Sequence, residues 1–116
     1  MNISSLSLSP NQISGNEQGS GLLLSTALRH EYVDGKPTEN IVEILYETVF
    51  PDNLFEKISV RIKGSKPVIT NEEIKKNGGT VKIQFTNLSG RFYRSKSGEY
   101  ALSVTADGIE VISWSY

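Results

Sequence analysis

Lys57-Ile58-Ser59-Val60-Arg61-Ile62-Lys63, Thr70-Asn71-Glu72-Glu73-Ile74-Lys75-Lys76-Asn77-Gly78-Gly79 and Thr80-Val81-Lys82-Ile83-Gln84-Phe85-Thr86 follow one another along the chain. The first and the last alternate apolar with polar residues, the period of a strand with one buried face. Ile58, Val60 and Ile62 point one way, and Lys57, Arg61 and Lys63 the other. Val81, Ile83 and Phe85 oppose Lys82 and Gln84 in the same manner. Gly64 and Pro67 break the first strand. The stretch between reads as a short helix. The Thr70 hydroxyl can accept from the Glu73 amide while Glu73 reaches back to the Thr70 amide, a capping box. Asn77-Gly78-Gly79 closes the helix, and Lys75 and Lys76 suit its dipole at the last turn.

Strand signals continue on both sides. Upstream, residues 22–33 end at Asp34-Gly35, a tight-turn dipeptide. Pro37 bars a central strand just there. Residues 41–50 are rich in Ile, Val, Tyr and Thr and stop at Pro51-Asp52-Asn53. Downstream, residues 91–94 and 99–106 flank a turn at 95–98 and read as a hairpin, with Tyr100, Leu102, Val104 and Ala106 as its buried row. Asp107-Gly108 turns the chain into a last segment, 109–114. The expected class is all-β with one short helix. That helix lies between the third and fourth clear strands, the β-β-β-α-β-β order of a small Greek-key OB-like barrel, with the last segment covering an edge. A β-sandwich or an SH3-like barrel fits the strand count almost as well.

The chain has 116 residues, the size of one domain able to bury a core without staples. Residues 21–116 are expected to form it. Residues 1–20 are rich in Ser, Asn, Gln and Gly, with few large apolar groups to offset the entropy of ordering. They read as a flexible arm whose removal leaves the thermal midpoint nearly unchanged, although Ile3, Leu6 and Leu8 offer an edge segment that can dock. With 0 cysteines the chain has neither disulfide nor thiol nucleophile. No apolar run is long enough to span a bilayer, and the N-terminus lacks a secretory leader's pattern. A cytoplasmic protein with no membrane partner is expected.

Catalytic chemistry is not expected. The single histidine, His30, stands beside Arg29 and Glu31 with no second histidine or cysteine, so a zinc site lacks its ligands. There is no nucleophile elbow or phosphate loop. Asn77-Gly78-Gly79 is explained as a turn, and Glu72-Glu73 as a helix start. No nucleophile, base and orienter come together, and no cofactor or metal is expected.

Charge is segregated despite a net charge of −1. Residues 1–56 carry 2 basic and 8 acidic side chains, residues 57–96 carry 10 and 2, and residues 97–116 carry 0 and 3. A near-neutral protein can present a basic face in this way. Gly90-Arg91-Phe92-Tyr93-Arg94-Ser95-Lys96 interleaves aromatics with cations, the two parts of a single-strand binder: cations follow phosphates and aromatic faces stack on bases. If Phe92 joins the core, alternation exposes Tyr93. The candidate nucleic-acid-binding residues are Lys57, Arg61, Lys63, Lys82, Arg91, Tyr93, Arg94 and Lys96. Ordinary strand packing and a solvated strand face explain the same residues without a ligand. Trp114 and Tyr116 are a further stacking pair, or a cap on the barrel, or a means of self-association into a homo-oligomer.

Thr26-Ala27-Leu28-Arg29-His30-Glu31, residues 57–64, Asn87-Leu88-Ser89-Gly90-Arg91-Phe92-Tyr93 and residues 100–112 with their Ala106-Asp107-Gly108-Ile109 turn resemble a family of small proteins. These are encoded by conjugative elements, plasmids and phages of Gram-positive bacteria, and they include the helicase-processivity factor of an integrative conjugative element. The resemblance covers about residues 21–112. It implies an OB-like or related barrel working on single-stranded DNA beside a relaxase and a helicase. It carries no residue-by-residue motif, so the candidate site rests on charge and aromatic placement. The expected function is a single-stranded DNA- or RNA-binding accessory protein of a mobile element. The alternative is a protein-interaction module or self-assembling subunit that docks on replication or transfer machinery.

Overall fold

A computed structural model describes residues 7–94 and 96–113. The candidate pair Trp114 and Tyr116, together with Ile3 and Leu6, lies outside them. In chain order the elements are β1 (Ser7–Leu8), α1 (Pro10–Ser14), β2 (Ser20–Val33), β3 (Lys36–Phe50), β4 (Glu56–Lys63), α2 (Asn71–Lys76), β5 (Val81–Thr86), β6 (Ser89–Arg94), β7 (Tyr100–Thr105) and β8 (Gly108–Ser113). The strands form one sheet in the order β1-β6-β7-β4-β3-β2-β5-β8. Every pairing is antiparallel except β4 with β7.

The chain makes this sheet curl. β5 lies next to one end of it and β6 next to the other. Only Asn87 and Leu88 separate them in sequence, and Asn87 turns in the left-handed region at φ 51°. Two residues span about 7 Å, so the two sides of the sheet must be drawn together into a half-barrel. The inward faces of β2 to β5 fill its middle with Leu23, Ile44, Tyr46, Phe50, Val60, Val81 and Ile83. β2 crosses this layer at Gly21, where an added Cβ would lie 2.8 Å from side-chain atoms of Phe50 and Thr48. Ile69 and Ile74 belong to the same buried cluster. The loop before α2 is pinned because the Val68 amide donates to the Tyr46 hydroxyl at 3.0 Å. Burial raises the pKa of that hydroxyl above its ordinary value.

The expected turns and helix are formed. Asp34 and Gly35 both take positive φ, as a two-residue hairpin requires. Both capping-box bonds join Thr70 and Glu73. Pro37 does lie within a strand, opposite Tyr32. The β4 pairings of β3 run only from Glu43 to Phe50, so β3 is an edge at Pro37 and loses no ladder bond to a second neighbour there.

Residues 7–20 depart from the expected free arm. β1 pairs with β6 through Leu8 and Gly90, so Leu8 does dock on an edge. α1 carries a second capping box, Ser9 with Gln12, and Pro10 at its start. Its Ile13 is 1% exposed. Asn53 Nδ2 donates to the Ile13 carbonyl at 2.8 Å, and Asn16 bridges to Ser20 and Asp52. A short helix needs only one well-seated apolar residue when caps and side-chain amides satisfy its backbone. Leu102 also departs from expectation. It shares the inward parity of Val104 but remains 39% exposed, near the end of the hairpin. The Tyr100 side chain of that row is not among those described.

Between β3 and β4, Leu54 and Phe55 both adopt left-handed φ, 56° and 60°, with 91% and 70% of their surface exposed. Each conformation costs a side-chain-bearing residue about 1–2 kcal/mol. Phe55→Gly is expected to raise stability by about 1 kcal/mol once the flexibility of glycine in the unfolded chain is discounted. Urea melts of the two proteins check this. A loss of stability would mean that the Phe55 ring makes contacts worth more than the strain.

Candidate nucleic-acid interface

Register decides which cations meet. On the outer face of β3, Glu43, Leu45, Glu47 and Val49 alternate with buried Ile44, Tyr46, Thr48 and Phe50. β4 sets Lys63 opposite Glu43, Arg61 opposite Leu45, Ser59 opposite Glu47 and Lys57 opposite Val49. β7 runs parallel on the other side of β4, with Thr105 beside Arg61. β6 sets Arg91 opposite Ser103 and Tyr93 opposite Ala101. Alternation therefore puts Lys57, Arg61, Lys63, Arg91 and Tyr93 on one continuous outer surface.

Arg61 is the centre of that surface. Its Nη2 donates to the Ser103 hydroxyl, and its Nη1 lies 3.9 Å from a Glu43 carboxylate oxygen. A depression of about 210 Å³ lies over it, lined by Leu45, Ser59, Arg61, Tyr93 and Ser103 among others. A second, of about 260 Å³, is lined by Glu43, Arg61, Lys63 and Asp107 among others. Arg61 lines both, beside Tyr93 in the first and beside Lys63 in the second. Tyr93 is 49% exposed and Phe92 half-buried, the division that alternation requires.

Lys82 lies on the same face but farther away. It opposes Leu22, which opposes Val49, which opposes Lys57. Three steps of about 4.8 Å separate the two lysines by about 14 Å along the sheet. Arg94 has the parity of Phe92 and points to the other side of β6 from Tyr93, its guanidinium near Gly98. Lys96 sits in the following turn. The structure thus brings five of the eight candidate residues together, leaves Lys82 as an outlier on the same face, and separates Arg94 and Lys96 from them.

Two carboxylates absent from the candidate set are part of this surface. Glu47 pairs with Lys57 at 2.6 Å and accepts from the Ser25 hydroxyl at 2.9 Å. The Lys57 bond, then the Ser25 bond, hold the Glu47 pKa below the ordinary carboxylate value. Glu43 pairs with Arg29 at 2.6 Å as well as approaching Arg61. Their spacing of four is even, so a strand aligns them as readily as a helix. The track is therefore partly neutralised at Lys57 and Arg61. Lys63, Lys82 and Arg91 make no ion pair with any described residue.

A larger depression, about 450 Å³, lies at one border of this face and is lined by Leu8, Ile13, Lys57, Ile58 and Leu102 among others. Gln12, Asn53, Glu56 and Ser59 complete its lining, so polar and apolar side chains are mixed there. Among the described residues, no three of His, Asp and Glu converge as a metal site requires, and no helix is long and apolar enough to cross a membrane. The surface offers a hydrogen-bonded guanidinium, flanking cations and one open aromatic face, which is equipment for binding an anionic chain that carries planar groups. Compared with protein-family models, with curated proteins and with solved structures, the chain matches none.

Proposed function

We propose that this chain is a non-enzymatic module that binds single-stranded nucleic acid with little sequence preference on the outer face of β4, β7 and β6. The observation that carries the reading is the meeting of Arg61 and Tyr93 in one depression, with Arg91 and Lys63 on the same face. Phosphates follow the cations and a base stacks on Tyr93. An OB-like barrel is the architecture we assign. The chain order β2-β3-β4-α2-β5-β7 supports it, with β6 continuing β5 across Asn87 and Leu88. In such barrels the second and third strands offer the oligonucleotide face, here β3 and β4, and the proposed surface shares β4 with it. Fold analogy adds weight without deciding function. The resemblance described above adds the setting: single-stranded DNA of a mobile element, in the cytoplasm, with a relaxase or helicase alongside.

The test is fluorescence anisotropy with labelled 20-mer and 40-mer oligo-dT across a salt series. The affinity is expected to fall with salt, with a slope near −0.7 per neutralised phosphate. Arg61→Ala is expected to weaken binding and to flatten the slope by about one such unit. Tyr93→Ala is expected to cost about 1–3 kcal/mol of binding while leaving the slope intact. Glu43→Gln is expected to bind more tightly at low salt, because it frees Arg61 for phosphate. If the folded wild type ignores both oligonucleotides at low salt, the reading is wrong.

A further inference from the structure

β2 runs from Ser20 to Val33, yet β5 pairs with it only over Ser20 to Leu23. At Thr26 a side chain takes over. Asn71 Oδ1 accepts from the Thr26 amide at 2.7 Å, and Asn71 Nδ2 donates to the Thr26 carbonyl at 3.0 Å. The amide thus stands in for one residue of a neighbouring strand. From residue 27 to residue 33 no described strand pairs with this edge.

The register shifts near His30 place extra residues on β3: Arg29 and His30 oppose Glu43 and Ile41, and His30 and Tyr32 oppose Ile41 and Pro37. β2 keeps its alternation. Since Thr26 turns its amide and carbonyl toward Asn71, Leu28, His30 and Tyr32 turn theirs to the same open side. Such an edge is a template for another strand unless charge, proline or a cover blocks it. No proline or lysine lies in 27–33, the two charged residues there, Arg29 and Glu31, are of opposite sign, and Leu28, Tyr32 and Val33 are 46%, 66% and 52% exposed.

We infer that this edge pairs with the same edge of a second copy, antiparallel, about a two-fold axis at His30. The residues are matched for it. A two-fold at His30 sets Arg29 opposite Glu31 of the second copy, and Glu31 opposite its Arg29, so opposite charges meet twice. Leu28 meets Tyr32 of the second copy on the other face, also twice. Aliphatic–aromatic and opposite-charge cross-strand pairs both stabilise a ladder. Shifting the axis to residue 29 or 31 opposes Arg29 with Arg29, or Glu31 with Glu31, which selects the register. The limits of the edge agree: Asn71 blocks it at Thr26 and the Asp34-Gly35 turn ends it, so His30 is the midpoint of what is left. An isologous pairing of this kind closes as a dimer. It joins the two half-barrels through a continuous sheet, and Glu43, which pairs with Arg29 and approaches Arg61, lies between this edge and the depression at Arg61 and Tyr93.

The test is sedimentation equilibrium of the full chain, with circular dichroism as the check on folding. The wild type is expected to show a concentration-dependent dimer. Arg29→Glu and Glu31→Arg, each alone, are expected to weaken it by about tenfold or more, because each makes both charge pairs repulsive. Mixing these two variants is expected to restore a heterodimer, since two acidic side chains of one copy then face two basic side chains of the other. His30→Pro removes the central amide donor from the open side and is expected to leave a folded monomer. A wild type that stays monomeric up to about 1 mM overturns the inference. So does a dimer that both charge variants leave unchanged, which would lie on another surface, and so does a failure of the mixed variants to associate.

Discussion

Ile83→Ala is expected to lower the stability of the fold by about 2–5 kcal/mol, and Leu102→Ala by only about 1 kcal/mol. The two residues look alike in the sequence, each on the apolar side of an alternating strand. Their surroundings differ. Ile83 is 0% exposed, at the middle of β5, opposite Gly21 on β2 and Val111 on β8. Truncating it leaves a hole that the rigid strands on either side cannot close, so the loss of burial and the cost of the cavity add. Leu102 is 39% exposed and borders the larger open depression beside Leu8 and Ile13. Water fills the space it vacates, and only part of its surface was removed from water to begin with. Urea unfolding of both variants reads the difference directly. Equal losses would mean that Leu102 is as enclosed as Ile83 and that the β6/β7 hairpin packs more tightly than its exposure indicates. Val60→Ala, on β4 and also 0% exposed, should follow Ile83 rather than Leu102.

The contrast marks what local sequence can and cannot say. Alternation at 57–63 and 80–86 locates β4 and β5 and their inward rows, because period two depends only on neighbours along one strand. The Thr70–Glu73 capping box locates α2 for the same reason, since both of its bonds span three residues. Asp34-Gly35 marks its hairpin by backbone preference alone. Features set by distant partners are not legible. The parallel contact of β4 with β7 joins residues more than forty positions apart, and it is this contact that brings Arg61 beside Ser103 and Tyr93. The neutralisation of Lys57 by Glu47 depends on the β3/β4 register. The outward parity of Glu43 and Glu47 is readable from their even spacing once 41–50 is a strand. The opposed parity of Tyr93 and Arg94 is equally readable, and a cation track that includes both runs longer than alternation permits.

Removing residues 1–20 is expected to destabilise the domain strongly, and Ile13→Ala alone is expected to cost about 2–4 kcal/mol, a fall of about 10 °C in thermal midpoint for a domain of this size. Composition hides this. The stretch is polar, and a single buried isoleucine in fourteen residues has no periodicity to detect. Ser9-Pro10-Asn11-Gln12 nevertheless repeats the grammar of Thr70-Asn71-Glu72-Glu73: a hydroxyl cap, a reciprocal side chain three residues on and, in this case, a proline at the first helical position. The caps satisfy the backbone of α1, and Ile13 supplies the contact. Its Cδ1 would stand 3.3 Å from a Cβ at Gly90, so the residue lies directly over β6. Truncation at residue 20 also removes Gly19, whose carbonyl accepts from the Phe85 amide at 3.0 Å and extends the β2/β5 ladder. It leaves Asn53 without the Ile13 carbonyl that its amide now reaches. Calorimetry on the full chain, on the truncated chain and on Ile13→Ala tests the point. A free arm predicts a shift of less than about 5 °C for all of them. A docked one predicts that Ile13→Ala accounts for a large share of the loss on truncation, because the same buried side chain is removed in both.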